Sequence, residues 1–77
     1  MDTRAYWKAF GERLRTVRRE LKLTQREAAK VYQVSVRSYQ RYEGGAPQVG
    51  YGFLRFAEAY GIDLNWLGGS DAIRRDA

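Results

Sequence analysis

Phe10, Leu14, Val17 and Leu21 are spaced four, three and four residues apart, the interval that lines side chains along one stripe of an α-helix. The helix they predict runs from about Thr3 to Lys22, with Asp2 or Thr3 as its N-cap. Tyr6 and Trp7 extend the stripe by a turn, while Arg13, Arg15, Arg19 and Lys22 fall mostly off it. A second helix opens at Thr24-Gln25-Arg26-Glu27. Here the Thr24 hydroxyl can accept from the Glu27 amide while the Glu27 carboxylate reaches back to the Thr24 amide. Ala28, Ala29, Val31 and Tyr32 form its apolar side, and its end is expected near Tyr32 or Gln33.

A third helix starts after Ser35, a good N-cap, and stops at Gly44-Gly45. At about 100° per residue, Tyr39 and Tyr42 share one side of it. Arg37, Gln40 and Arg41 share the other, with Val36 at the edge. Helices this short are marginal alone in water, so the tyrosine side is expected to dock on the first two helices and leave the other side for a polar partner. The loop from Gly44 to Gly52 holds four glycines and the only proline, Pro47. A fourth helix fits Tyr51 to Tyr60, with Phe53, Phe56, Ala57 and Tyr60 inward and Gly61 at its end. A short fifth fits Asp63 to Leu67, capped by Asp63, with Leu64, Trp66 and Leu67 packing back. There is no strand alternation and no repeat. The expectation is an all-α, compact bundle of five short helices, one domain over residues 1–69, with 70–77 as a tail.

Composition narrows the chemistry. The chain has 77 residues and neither cysteine nor histidine, so disulfides and thiolate or imidazole metal sites are out of reach. It also lacks a glycine-rich phosphate loop after a strand and a clustered carboxylate pair. Glu20 and Glu27 are explained by helix surface and capping. No enzyme activity, cofactor, metal or small-molecule ligand is expected. No apolar run approaches the roughly 18 residues of a membrane span, and MDTRAYWKAF lacks the apolar centre of a signal peptide. A cytoplasmic protein without a membrane partner is expected.

The net charge is +5 but unevenly spread. Between Arg13 and Arg41 stand nine Lys/Arg against two Glu, and the rest of the chain has five basic and seven acidic residues. Eleven of the fourteen basic residues are arginine, whose planar fork suits phosphates and guanine edges. Such a block is either a solvated helix surface or the footprint of an anionic partner. Two helices joined by about three residues, the second with a polar outer face, form the helix-turn-helix pattern. Helical bundles that bind no DNA also contain such tight turns.

Several stretches together resemble the phage-repressor and Cro-type helix-turn-helix, the XRE family with its lambda-repressor-like domain. "LTQREAA" is similar to the family's second-helix opening, with Gln25 in place, and Ala29 matches its small residue between the two helices. Ala28, Tyr32, Val34, Tyr39 and Tyr42 fall on its core positions. "YEGG" resembles the end of its recognition helix, and "FAEAYGIDLNWL" its passage from helix four to helix five. The likeness covers roughly Phe10 to Gly68. Gln33 departs from it, standing where the family prefers glycine. So do the three tyrosines, which replace smaller aliphatics and whose hydroxyls need partners or solvent.

The resemblance implies a third helix in the major groove of double-stranded DNA. Ser35, Val36, Arg37, Gln40 and Arg41 would then face bases. Arginine can read guanine O6 and N7, glutamine can read adenine N6 and N7, and Val36 can touch a thymine methyl. Arg18, Thr24, Gln25, Arg26 and Ser38 are implied as phosphate contacts. Glu43 lies at a helix C-terminus, where the dipole disfavours an anion, and so wants a cation. The resemblance implies a structural bridge to Arg18 that also points Arg18 at a phosphate.

Modules of this kind act as homodimers on roughly palindromic operators. The candidate dimer surface is Leu64, Trp66, Leu67 and Ile73, residues equally suited to closing the monomer core. The implied function is a transcriptional regulator, repressor or autoregulator. A phage or other mobile element, a restriction-modification system or a toxin-antitoxin pair are all suitable sources. The alternative is a protein-interaction module, such as an antitoxin or anti-activator, using the same fold for a protein partner. That module would carry apolar or acidic residues on the free face of helix three, and Arg37, Gln40 and Arg41 are neither.

Overall fold

The computed structural model describes residues 3–67. Four helices follow in order: α1 (Thr3–Glu20), α2 (Gln25–Tyr32), α3 (Val36–Glu43) and α4 (Gly52–Tyr60). A single helical turn, Leu64–Leu67, closes the described chain, so the expected fifth helix is no more than one turn. No strand occurs among the described residues, and none of the helices there is long and apolar enough to cross a membrane.

Local chemistry sets most boundaries. α1 stops two residues before Lys22, because Lys22 itself turns left-handed at φ 60° and the Leu23 amide folds back to the Arg18 carbonyl at 3.1 Å. The turn carries Leu21 off the apolar stripe: it is exposed, against the periodicity that placed it in the core. At α2 the reciprocal cap forms. The Glu27 amide donates to Thr24 Oγ1 at 3.0 Å, and the Thr24 amide donates to Glu27 Oε1 at 2.8 Å. Gln33 ends α2 at φ 62°, a left-handed conformation costing a non-glycine residue about 1 kcal/mol. Ser35 Oγ accepts the Ser38 amide and starts α3. Gly45 takes the left-handed position after α3 at φ 111°, as does Gly61 after α4 at φ 66°.

The core is Phe10, Leu14 and Val17 of α1, Ala28, Ala29 and Tyr32 of α2, Tyr39 of α3, Phe56 of α4, and Leu67. Tyr32 is its hub. Its ring centroid lies 5.2 Å from Tyr39, 5.6 Å from Tyr42 and 5.8 Å from Phe56, and such pairs add about 0.5–1.5 kcal/mol each beyond area burial. The aromatic side of α3 thus packs on α2. Two hydroxyls find partners: Tyr32 donates to Gln48 Oε1 at 2.8 Å and Tyr42 to the Val49 carbonyl at 3.4 Å. The buried Tyr39 hydroxyl makes no hydrogen bond of good geometry.

Close backbone approach fixes how α3 meets α1. A Cβ on Gly11 would stand 2.5 Å from the Glu43 carbonyl oxygen and 2.6 Å from that of Tyr42. Gly11 therefore lets the end of α3 lie directly on α1. Gly52 does the same for the Tyr32 ring at the start of α4. In the final turn Leu67 is fully buried and Trp66 packs partly on the core, but Leu64 is exposed rather than packed back.

Candidate nucleic-acid interface

The outward side of α3 is polar and open. Ser35, Arg37, Gln40 and Arg41 are exposed, while Val36 and Ser38 are half-buried. Val36, Arg37, Gln40 and Arg41 line one shallow depression. A second, more apolar cleft runs beside it, between Ser38, Arg41 and Tyr42 on α3 and Ala46, Pro47 and Val49 of the following loop. Arginine and glutamine side chains with this exposure can reach the edges of bases, and the helix carrying them is held from behind by the fully buried Tyr39. Thr24 and Arg26 lie exposed at the start of α2. Thr24 Oγ1 is engaged as an acceptor, which leaves its proton free to donate.

Beneath this surface lies a polar network centred on Glu43, whose side chain is 1% exposed. Arg18 Nε donates to Glu43 Oε2 at 2.5 Å, and Arg18 Nη2 to Oε1 at 3.3 Å. Arg18 Nη1 donates to the Leu23 carbonyl at 2.9 Å. Gln25 Nε2 donates to Glu43 Oε1 at 3.1 Å, and Gln25 Oε1 accepts from Gln40 Nε2 at 3.0 Å. Arg15 Nε stands 3.6 Å from Glu43 Oε1. One carboxylate therefore gathers side chains from α1 and α2 onto the end of α3.

The protonation balance follows from this geometry. Burial, the strongest single influence on Glu43, pushes its pKa up. Hydrogen bonds from Arg18 and Gln25, together with the nearby Tyr39 hydroxyl, outweigh it and hold the carboxyl below its ordinary value. The hydrogen bond to Glu43 raises Arg18 in turn, against the opposing effect of burial. Burial first, then the neighbouring Glu43, pushes the Tyr39 phenol up. Arg18 and Glu43 are thus a charged pair over the whole neutral range.

Two of the expected phosphate contacts, Arg18 and Gln25, are engaged within the protein. The Arg18 side chain is 12% exposed, and three of its five N–H groups go to Glu43 and the Leu23 carbonyl. The Gln25 side chain also points inward, with its amide divided between Glu43 and Gln40. In this position it braces Gln40. As for the dimer candidates, Leu67 is wholly buried and unavailable as a surface, Trp66 is half-buried, Leu64 is exposed, and Ile73 lies outside the described residues.

Sequence reasoning passed over three residues. Gly11 was legible as a glycine inside an apolar helical pattern, which costs about 1 kcal/mol and usually has a packing reason. Arg15 stands one turn before Arg18, on the same helical face. Gln48, the Tyr32 partner, lies in an irregular loop that gives no periodic signal. A family model described as a helix-turn-helix domain matches residues 9–65. No curated protein and no solved structure matches the chain.

Proposed function

This chain belongs to the helix-turn-helix domain family, a family of DNA-binding modules, and from that premise we propose that it is a sequence-specific transcriptional regulator of the XRE, Cro-like kind. α3 enters the major groove of double-stranded DNA. One observation carries the reading: α3 keeps Arg37, Gln40 and Arg41 exposed on one side while Tyr39 and Glu43 are buried on the other. A helix clamped from behind presents its readers without first having to be ordered, which limits the entropic cost of binding.

In this reading Arg37 is the main base reader and Arg41 reaches a base or a phosphate one turn along. Ser35, Val36 and Gln40 complete the face. Thr24, Arg26 and Ser38 approach phosphates on either side. Gln40 meets a base while its amide stays braced by Gln25. The module acts as a homodimer on a roughly palindromic operator, with half-sites about 34 Å apart, as a repressor or autoregulator in the cytoplasm. Leu64 and Trp66 are its remaining surface candidates for self-association. Binding rather than catalysis is its work, and it needs no cofactor.

Selection of duplex fragments from a random pool tests this. Repeated rounds are expected to yield a two-fold symmetric consensus, with affinity falling steeply as salt rises. A pool that yields no consensus, with no salt-dependent retention of duplex, overturns the proposal.

A further inference from the structure

The Glu43 cluster holds more positive charge than it neutralises. Arg15 and Arg18 both converge on one carboxylate, leaving one surplus positive charge. The two arginines are not equivalent. Arg18 is mostly covered, with three of its five N–H groups on Glu43 and the Leu23 carbonyl. Arg15 has a side chain that is 46% exposed, and its Nε stands 3.6 Å from Glu43 Oε1, beyond hydrogen-bond length. The attraction orients the Arg15 stem without consuming its outer nitrogens. Gln25 donates to that same Oε1 while holding Gln40 of the α3 face. Arg15 therefore sits at the seam where α1 borders the start of α2 and the outward side of α3.

We propose that Arg15, oriented by the buried Glu43 carboxylate, is the α1 residue that grips a DNA backbone phosphate next to the α3 face, with Glu43 as its positioning residue. This rests on the DNA-binding reading above. An arginine fork matches a phosphate bidentately. Fixing its stem beforehand spares part of the rotamer entropy that a free surface arginine loses on binding. The assignment moves the α1 phosphate contact from Arg18, which cannot leave Glu43 without stranding a buried charge, to its neighbour one turn earlier.

The test compares wild type, Arg15→Gln and Arg15→Lys by fluorescence anisotropy on a labelled mixed-sequence duplex about three helical turns long, across a salt series. A selected high-affinity duplex is run in parallel. Arg15→Gln is expected to lower the slope of log K against log salt by about 0.9, the share of one phosphate. It should weaken both duplexes by a similar factor and leave Tm within a few degrees of wild type. Arg15→Lys is expected to restore most of the slope. An unchanged slope in Arg15→Gln overturns the proposal while wild-type binding leaves the DNA reading standing. A loss confined to the selected duplex overturns it in favour of a base contact, and a large fall in Tm overturns it in favour of a purely structural role. If wild type shows no salt-dependent duplex binding, this inference and the DNA reading fall together.

Discussion

Replacing Glu43 with alanine removes the acceptor for Arg18 Nε and Nη2 and for Gln25 Nε2. Arg18 is left with only the Leu23 carbonyl and little solvent. Breaking a buried ion pair by removing one partner costs about 3–5 kcal/mol. Because Arg18 keeps one bond and 12% exposure, the lower end, about 3 kcal/mol, applies. In a domain of this size each kcal/mol moves Tm by about 4–8 °C, so differential scanning calorimetry is expected to show a fall on the order of 10–20 °C. Glu43→Gln, which keeps an acceptor but loses the charge, should fall less.

The pH dependence has a definite sign. The folded-state pKa of Glu43 is depressed. Its contribution is therefore fully present above the ordinary carboxylate value of 4.5 and is lost as pH falls through the lower folded value. The Tm gap between wild type and Glu43→Gln should accordingly be constant near neutral pH and narrow below about pH 4.5. Replacing Arg18 and Glu43 together with Met and Leu should recover much of the loss, since an apolar pair strands no charge. A Glu43→Ala protein melting within 2–3 °C of wild type, on the order of half a kcal/mol, would refute the claim that this network clamps α3.

Other expectations concern single positions. Gly11→Ala places a methyl against two α3 carbonyl oxygens and should destabilise by about 1–3 kcal/mol despite alanine's better helix propensity, measured by urea unfolding. Gln33→Gly relieves the left-handed strain at φ 62° while adding unfolded-state entropy. Its Tm should stay level or rise slightly, and a clear drop would contradict that backbone geometry. Arg37→Ala should cost about 1–3 kcal/mol on a selected operator and relax preference at one base position, with Tm unchanged. A uniform loss across all sequences would reassign Arg37 to a phosphate.

What could be read from the sequence was whatever is decided locally. Thr24, Glu27 and Ser35 fix the starts of α2 and α3 through bonds spanning three residues, so those boundaries were legible. The inward side of α3 was legible because Tyr39 and Tyr42 stand at helical spacing. The exposure of Leu21 and Leu64 was not, because a periodic pattern cannot tell where a turn swings its last member outward. The fate of Arg18 was also beyond the sequence: an Arg18–Glu43 pairing can be anticipated, but whether the guanidinium ends up covered or facing solvent depends on how closely α3 lies on α1. That closeness is set by Gly11, where the absence of a side chain is the whole signal.

The central claim is that a back-clamped α3 meets DNA with its arginine side. Its most direct test is an amide and arginine side-chain NMR titration of the protein with a selected duplex. The claim predicts the largest perturbations at residues 35–41 and at the start of α2, with protected Nε signals for Arg37 and Arg41 and a quiet far side on α4. Perturbations centred on α4 and the Leu64–Leu67 turn, with the α3 arginines unaltered, would contradict it.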